Sequence, residues 1–271
     1  MQMNFLIGLL AGLFGGVVGL GGGVIMVPLM VGIKKLRQQH AHGTSLVVLV
    51  FTGIIGAATY AAQGSIDIVA SALLAAPAIM TARSGALLAH GLPEWKLKRY
   101  FGYLMIIVSL FMVLKPYIPH IASPLGGGIK ALILLAAGAL TGLLSGMMGI
   151  GGGSLMVPAM VLMIGMEQHA AQGSSLLAMI PAGAVGAWTH KKLGNVEAPL
   201  LYGLIPGVII GTFIGARFAH YLPESILRIL FAMVIVWTGI RFIQTSVKMK
   251  KMDPAKGSLP TKDLEKVQLV P

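Results

Sequence analysis

The sequence predicts an all-α polytopic membrane protein built as two inverted four-segment repeats, each a re-entrant Gly-rich helical hairpin plus three transmembrane helices. Three observations lead there. Only 10% of the 271 residues are charged and the mean hydropathy is +0.87, whereas soluble domains carry roughly 25% charged residues. The chain matches itself when shifted by 130 residues. Its Lys and Arg residues segregate to one side of a bilayer only if each copy crosses it an odd number of times.

The repeat needs no gap. Gly16, Gly19, Gly21, Gly22 and Gly23 fall on Gly146, Gly149, Gly151, Gly152 and Gly153, and Val27-Pro28 falls on Val157-Pro158. Gly43-Thr44-Ser45-Leu46 falls on Gly173-Ser174-Ser175-Leu176, and Ala89-His90-x-Leu92-Pro93-Glu94 on Ala219-His220-x-Leu222-Pro223-Glu224. The first repeat covers 1–118, with apolar segments near 4–33, 41–62, 68–90 and 100–118. A Pro/Gly-rich linker, 119–130, leads to the second repeat, 131–245, with segments near 131–164, 170–190, 198–219 and 226–245. Residues 246–271 are polar and basic and read as a disordered cytoplasmic tail.

The first segment of each repeat is too long for one crossing. As a single helix, 4–33 would run about 45 Å at about 1.5 Å per residue, against a hydrocarbon core of about 30 Å. It is also interrupted by Gly19-Leu20-Gly21-Gly22-Gly23 and then Pro28, and glycine suits a tight turn better than a helix interior. A hairpin with the glycines at its tip satisfies both facts. Such non-helical backbone at depth must be buried in protein or line a wet cavity.

Charge sets the orientation. With eight single crossings the basic residues divide 11 against 9 between the two sides. With two re-entrant hairpins and six crossings, the inside holds Lys34, Lys35, Arg37, Arg83, Lys96, Lys98, Arg99, Lys191, Lys192 and the seven basic residues from Arg241 onward, leaving Lys115, Lys130, Arg217 and Arg228 outside. The second arrangement obeys the positive-inside rule and places both termini in the cytoplasm of a cell with this chain in its inner membrane. The net charge of +12 thus reflects topology, and no nucleic-acid surface is expected. The N-terminus lacks the basic residues of a cleaved signal peptide. The absence of cysteine excludes disulfides and thiolate metal sites.

The motif Gly-x-x-Gly-x-Gly-Gly-Gly followed by Val-Pro, at 16–28 and again at 146–158, resembles the sulfite exporter TauE/SafE family of membrane permeases. The Gly-Thr-Ser and Gly-Ser-Ser helix starts fit the same pattern, and the resemblance covers about residues 4–245. It implies transport, usually outward, of sulfite or a related organosulfur anion such as a sulfonate.

The residues themselves point to an anion site. Gly21, Gly22 and Gly23 with Gly151, Gly152 and Gly153 offer main-chain amides at the start of a helix, where unsatisfied N–H groups and the helix dipole favour negative charge. Inverted repeats would bring both tips to one central place. Thr44, Ser45, Ser154, Ser174 and Ser175 are hydroxyls that either donate to an oxyanion or cap helices. His42 and Gln172 hold equivalent positions just before those hydroxyls, and His42 could bind the anion or carry a proton. Arg83, a rare charge within an apolar segment, either attracts the anion or snorkels to the interface.

No cofactor and no metal are expected. The partners expected are the small anion and the lipid bilayer, and Gly53-x-x-Gly56 allows helix contact in a homodimer. An intramembrane enzyme is disfavoured: no Gly-x-Ser-x-Gly elbow and no His-Glu-x-x-His is present. All eight acids fall in loops, at segment ends or in the tail, which also argues against a cation carrier. A passive anion channel stays open as a rival.

Overall fold

The computed structural model describes residues 2–88, 94–115, 127–148 and 151–252. The described chain is helical, with no strand among the described residues. Its elements are α1 (Gln2–Val18), α2 (Gly23–Lys34), α3 (Gln38–Ala61), α4 (Ile68–Leu88), α5 (Glu94–Leu114), α6 (Gly127–Met148), α7 (Gly153–Pro158) continued by a π-helical stretch (Ala159–Ile164), α8 (Gln168–Lys192), α9 (Ala198–Ala219) and α10 (Glu224–Met252). The expected break in the first segment falls at 19–22, where α1 ends and α2 begins.

Glycine decides how the helices pair. Gly8, Gly12 and Gly16, spaced by four on α1, press on α9: a Cβ added to them would lie 2.3, 2.5 and 2.5 Å from the carbonyl oxygens of Leu204, Val208 and Thr212. From the other side, Gly207, Gly211 and Gly215 meet Phe5, Leu9 and Leu13 as closely. The order of the contacts makes α1 and α9 parallel. Gly138, Gly142 and Gly146 of α6 press in the same way on Leu74, Ala78 and Ala82 of α4. These are backbone-to-backbone contacts of the small-xxx-small kind, which let helices associate without a hydrophobic driving force.

The remaining pairings join a helix to its own counterpart. In α3 and α8, Gly53 faces Ile180 and Leu176 while Gly183 faces Leu49 and Val50, so the two cross antiparallel. In α5 and α10, Ser109 Oγ donates to the Ala232 carbonyl at 2.9 Å, Phe101 lies against Phe242, and Lys98 reaches Met249, again antiparallel. Exchange the first repeat for the second and the pairing of α1 with α9 maps onto that of α6 with α4, while α3–α8 and α5–α10 each map onto themselves. The equivalent helices α3 and α8, and α5 and α10, thus run in opposite directions.

Among the described residues six helices are long and apolar enough to cross a membrane: Gln38–Ala61, Ile68–Leu88, Trp95–Leu114, Gly127–Met148, Ala198–Ala219 and Glu224–Lys250. This set is not the six crossings expected from the sequence. It includes α6, an arm of the second hairpin, and leaves out α8. The 25 residues of α8 are long enough, but Gln168, Gln172, Ser174, Ser175 and His190 are all buried on it. A helix packed among α3, α4 and α7 meets protein instead of lipid and can carry such a polar load.

Two boundaries differ from the sequence reading. Helix α6 starts at Gly127, inside the stretch read as linker; Gly127 and Gly128 have open space around them and sit in a first turn, where glycine costs little packing. Helix α10 runs to Met252, past residue 245. Its last turns carry Lys248 and Lys250, which suit a helix C-terminus, and Met249 is held by Lys98 at 3.6 Å. Most of the linker and the tail beyond Met252 lie outside the described residues.

Candidate anion site at the hairpin tips

The first tip turns on glycines in the left-handed region, Gly19 (φ 72°), Gly21 (φ 79°) and Gly22 (φ 75°), a conformation that costs other residues roughly 1–2 kcal/mol each. It folds back so tightly that a Cβ on Gly15 would lie 2.6 Å from the Gly22 nitrogen. The second tip uses Gly151 (φ 90°); its residues Gly149 and Ile150 lie outside the described residues. From each tip a helix departs in the same way. Ile25 and Met26 donate to the Gly22 carbonyl, and Leu155 and Met156 donate to the Gly152 carbonyl, all at 3.0–3.1 Å. The N–H groups ahead of these donors have no preceding helical turn to bond to. No side chain caps either start.

The two tips touch. A Cβ on Gly153 would lie 2.4 Å from the Gly19 carbonyl oxygen, and one on Gly151 would lie 2.7 Å from that of Leu20. Leu49 of α3 and Met179 of α8, equivalent residues, flank both: each comes within 3.4 Å of such an atom on Gly21 and on Gly151. The tips thus meet where α3 and α8 cross, near the middle of both helices. All six of Gly21, Gly22, Gly23, Gly151, Gly152 and Gly153 are buried, as is Ser154 in the first turn of α7.

The predicted polar residues separate into three groups. Gln172 and Ser175 reach the first tip. Ser175 Oγ lies 3.0 Å from the Gly19 carbonyl, and a Cβ on Gly19 would strike the Gln172 side chain at 2.7 Å. Gln172 Oε1 lies 2.8 Å from the Tyr60 hydroxyl, while its Nε2 is buried with no hydrogen-bond partner among the described residues. His42 and Ser45 hold the matching places on α3, both buried, with Ser45 Oγ donating to the His42 carbonyl at 2.8 Å as Ser175 does to that of Gln172.

Thr44 and Ser174 do something else. The Asp67 N–H donates to Ser174 Oγ at 2.8 Å and the Glu197 N–H donates to Thr44 Oγ1 at 3.0 Å. Each hydroxyl therefore pins the loop that enters the other repeat's next helix. Arg83 stands apart from the tips, on the exposed side of α4 beside Met80 and Leu87.

Sequence reasoning passed over one pair. Tyr60 donates its hydroxyl toward the Gly16 carbonyl at 3.1 Å, and His190 Nε2 lies 3.1 Å from the Gly146 carbonyl. The two residues are 130 apart and so are the two carbonyls. Each holds the last turn before a tip. The signal was present as two polar rings at one offset, but their residue types differ. Behind Tyr60 the His220 ring lies at 4.7 Å and the His169 ring follows at 5.4 Å.

The arrangement presents neutral donors to a buried place at the crossing of α3 and α8. No group of three or more His, Asp or Glu able to hold a metal ion occurs among the described residues. A small anion that has lost part of its water would find uncapped helix starts and the Gln172 amide there, and in low dielectric such donors act strongly.

Comparison with known proteins agrees in kind. Over 271 aligned residues the chain is 27% identical to the probable membrane transporter protein YunE of Bacillus subtilis, covering 90% of this chain and 99% of that one. It is 24% identical to the probable membrane transporter protein MJ0441 of Methanocaldococcus jannaschii, covering 89% and 94%. A shorter match, 28% identical, covers 42% of this chain and 26% of sulfite exporter TauE/SafE family protein 5 of Arabidopsis thaliana. No solved structure gives a significant match. The sulfite exporter TauE/SafE profile extends over residues 4–242, nearly the whole of both repeats, and the chain belongs to that family of membrane transporters.

Proposed function

We propose that this transporter moves sulfite or a small sulfonate outward across the inner membrane, with the anion held between the two glycine tips. The observation that carries the proposal is the contact of the tips at the crossing of α3 and α8, where two uncapped helix starts converge. Gly21, Gly22, Gly23, Gly151, Gly152, Gly153 and Ser154 supply main-chain donors. Gln172 and Ser175 on one side, and His42 and Ser45 on the other, complete the cradle. Thr44 and Ser174 serve as loop anchors, and Arg83 acts at the membrane interface.

The same reading inverts the repeats in the bilayer. Opposite running of α3 and α8, and of α5 and α10, supports it. So does charge: Lys34, Lys35, Arg37, Lys96, Lys98, Arg99, Lys191 and Lys192 then share one side with both termini, which the positive-inside rule makes cytoplasmic. Because the tips are in van der Waals contact, an ion can pass between them only when they part. That favours a carrier over a permanently open pore.

The test is flux in proteoliposomes. Sulfite, thiosulfate and small sulfonates should compete with one another, saturate and show counterflow, each measured with and without a pH gradient. Ohmic current without saturation would replace the carrier by a channel, and absence of any mutual competition would remove the substrate class.

A further inference from the structure

A lateral cavity of about 500 Å³ opens between α5, α6 and the α7–π segment. The size falls in the range of ligand pockets, but this one is lined by apolar side chains alone, aliphatic and aromatic apart from the Met163 thioether. Its lining includes the small residues Ala136, Pro158 and Ala159, and its rim Phe111, Leu132 and Met163, which are 49%, 67% and 55% exposed. In a membrane protein such a rim faces hydrocarbon. A trough of this kind, open to lipid, accepts an alkyl chain and rejects anything that must hydrogen-bond.

One end of the trough is charged. Lys115 lies four residues beyond Phe111, and Lys130 three residues before Ile133, another lining residue; on helices these spacings place residues on one face. Phe111 and Leu132, four and two residues from these lysines, both line the trough, so the two lysines lie toward the same end of it. Arg228 of α10 stands near Lys115: burial and that guanidinium hold the Lys115 amine below the ordinary lysine range, with Glu224 opposing. The Arg228 Nε is itself buried with no hydrogen-bond partner among the described residues, and its bond to Glu224 is long, 3.9 Å. Lys115 and Arg228 against the one carboxylate of Glu224 leave this end short of negative charge.

We propose that the trough holds one acyl chain of an anionic phospholipid, with the phosphate headgroup against Lys115 and Lys130. The occupant would rest directly on the helix that leaves the second glycine tip, through Pro158, Ala159 and the π-helical turn. It would therefore be a structural part of the second hairpin, separate from the anion cradle and independent of what that cradle carries.

The experiment is native mass spectrometry of the full chain released from nanodiscs of phosphatidylglycerol or phosphatidylcholine. The wild type should retain one phosphatidylglycerol under delipidation that removes phosphatidylcholine. A136F and A159F, which place a ring in the trough, should lose it while keeping their helical circular dichroism. K115Q and K130Q should each lower the preference for phosphatidylglycerol about fivefold. Equal retention of the two lipids by the wild type would overturn the proposal. So would unchanged phosphatidylglycerol retention in the K115Q/K130Q chain, which decides the matter alone if the filled variants do not fold.

Discussion

At the scale of single residues, Gln172 is where the proposed anion cradle can be told from a mere turn. Its Oε1 is engaged by Tyr60, and its Nε2 is a buried donor beside Gly19 without a partner among the described residues. An unpaired buried donor is costly, and a ligand oxygen would satisfy it. Gln172→Glu keeps the shape and replaces that donor by negative charge. Two unit charges about 4 Å apart repel by about 4 kcal/mol at an effective dielectric of 20. Sulfite flux per folded molecule should fall at least about tenfold, and flux equal to the wild type would take Gln172 out of the site. Ser174 gives the opposite expectation. Its hydroxyl accepts from the Asp67 N–H, so Ser174→Ala should lower stability by about 1–2 kcal/mol in denaturant unfolding in detergent while flux per folded molecule persists. Loss of flux without loss of stability would move Ser174 from anchor to cradle.

At the scale of helices, the glycine rows are the sharpest constraint. A Cβ on Gly12 would lie 2.5 Å from the Val208 carbonyl oxygen, and one on Gly142 would lie 2.3 Å from that of Ala78. Since the obstacle is backbone, neither neighbour can swing aside. Gly12→Ala and Gly142→Ala should each cost about 1–3 kcal/mol by overpacking. Gly128→Ala, with nothing within 4 Å, should be neutral or stabilising by up to about 1 kcal/mol. Thermal unfolding of the three variants in one detergent checks the contrast. Similar losses in all three would mean that helix propensity, not contact, governs these positions.

These helices also show what could be read in advance. The offset of 130 exposed the hairpins, their glycine tips and the polar starts of α3 and α8, because each is a local pattern repeated in the chain. Gly8 and Gly12 repeat at Gly138 and Gly142, so the parallel pairing of α1 with α9 had a trace too. Which helix would receive those glycines had none: the partner belongs to the other repeat, and sequence spacing carries no information about contacts across repeats. For the same reason the hydroxyls of Thr44 and Ser174 could be read equally as substrate donors or as caps. Each bonds a backbone N–H that lies 153 or 107 residues away. Arg83 was ambiguous because its position in an apolar run gives depth but not facing, and facing depends on how α4 packs against α6.

At the scale of the molecule, opposite running of equivalent helices requires opposite insertion of the two repeats if the bundle spans a bilayer. Gln63 and Leu193 are equivalent by the offset of 130 and both are exposed, in the loops after α3 and α8. The chain has no cysteine, so Gln63→Cys and Leu193→Cys each introduce a single thiol. With α3 and α8 antiparallel, the two thiols belong on opposite faces. An impermeant maleimide added to intact spheroplasts should label the Gln63→Cys chain, and the Leu193→Cys chain should react only after lysis, since Lys191 and Lys192 hold that loop in the cytoplasm under the positive-inside rule. Labelling of both thiols from the same face would make the repeats parallel. The antiparallel crossing of α3 and α8 would then be incompatible with both helices spanning the membrane, and the tips could no longer enter from opposite sides to share one ion.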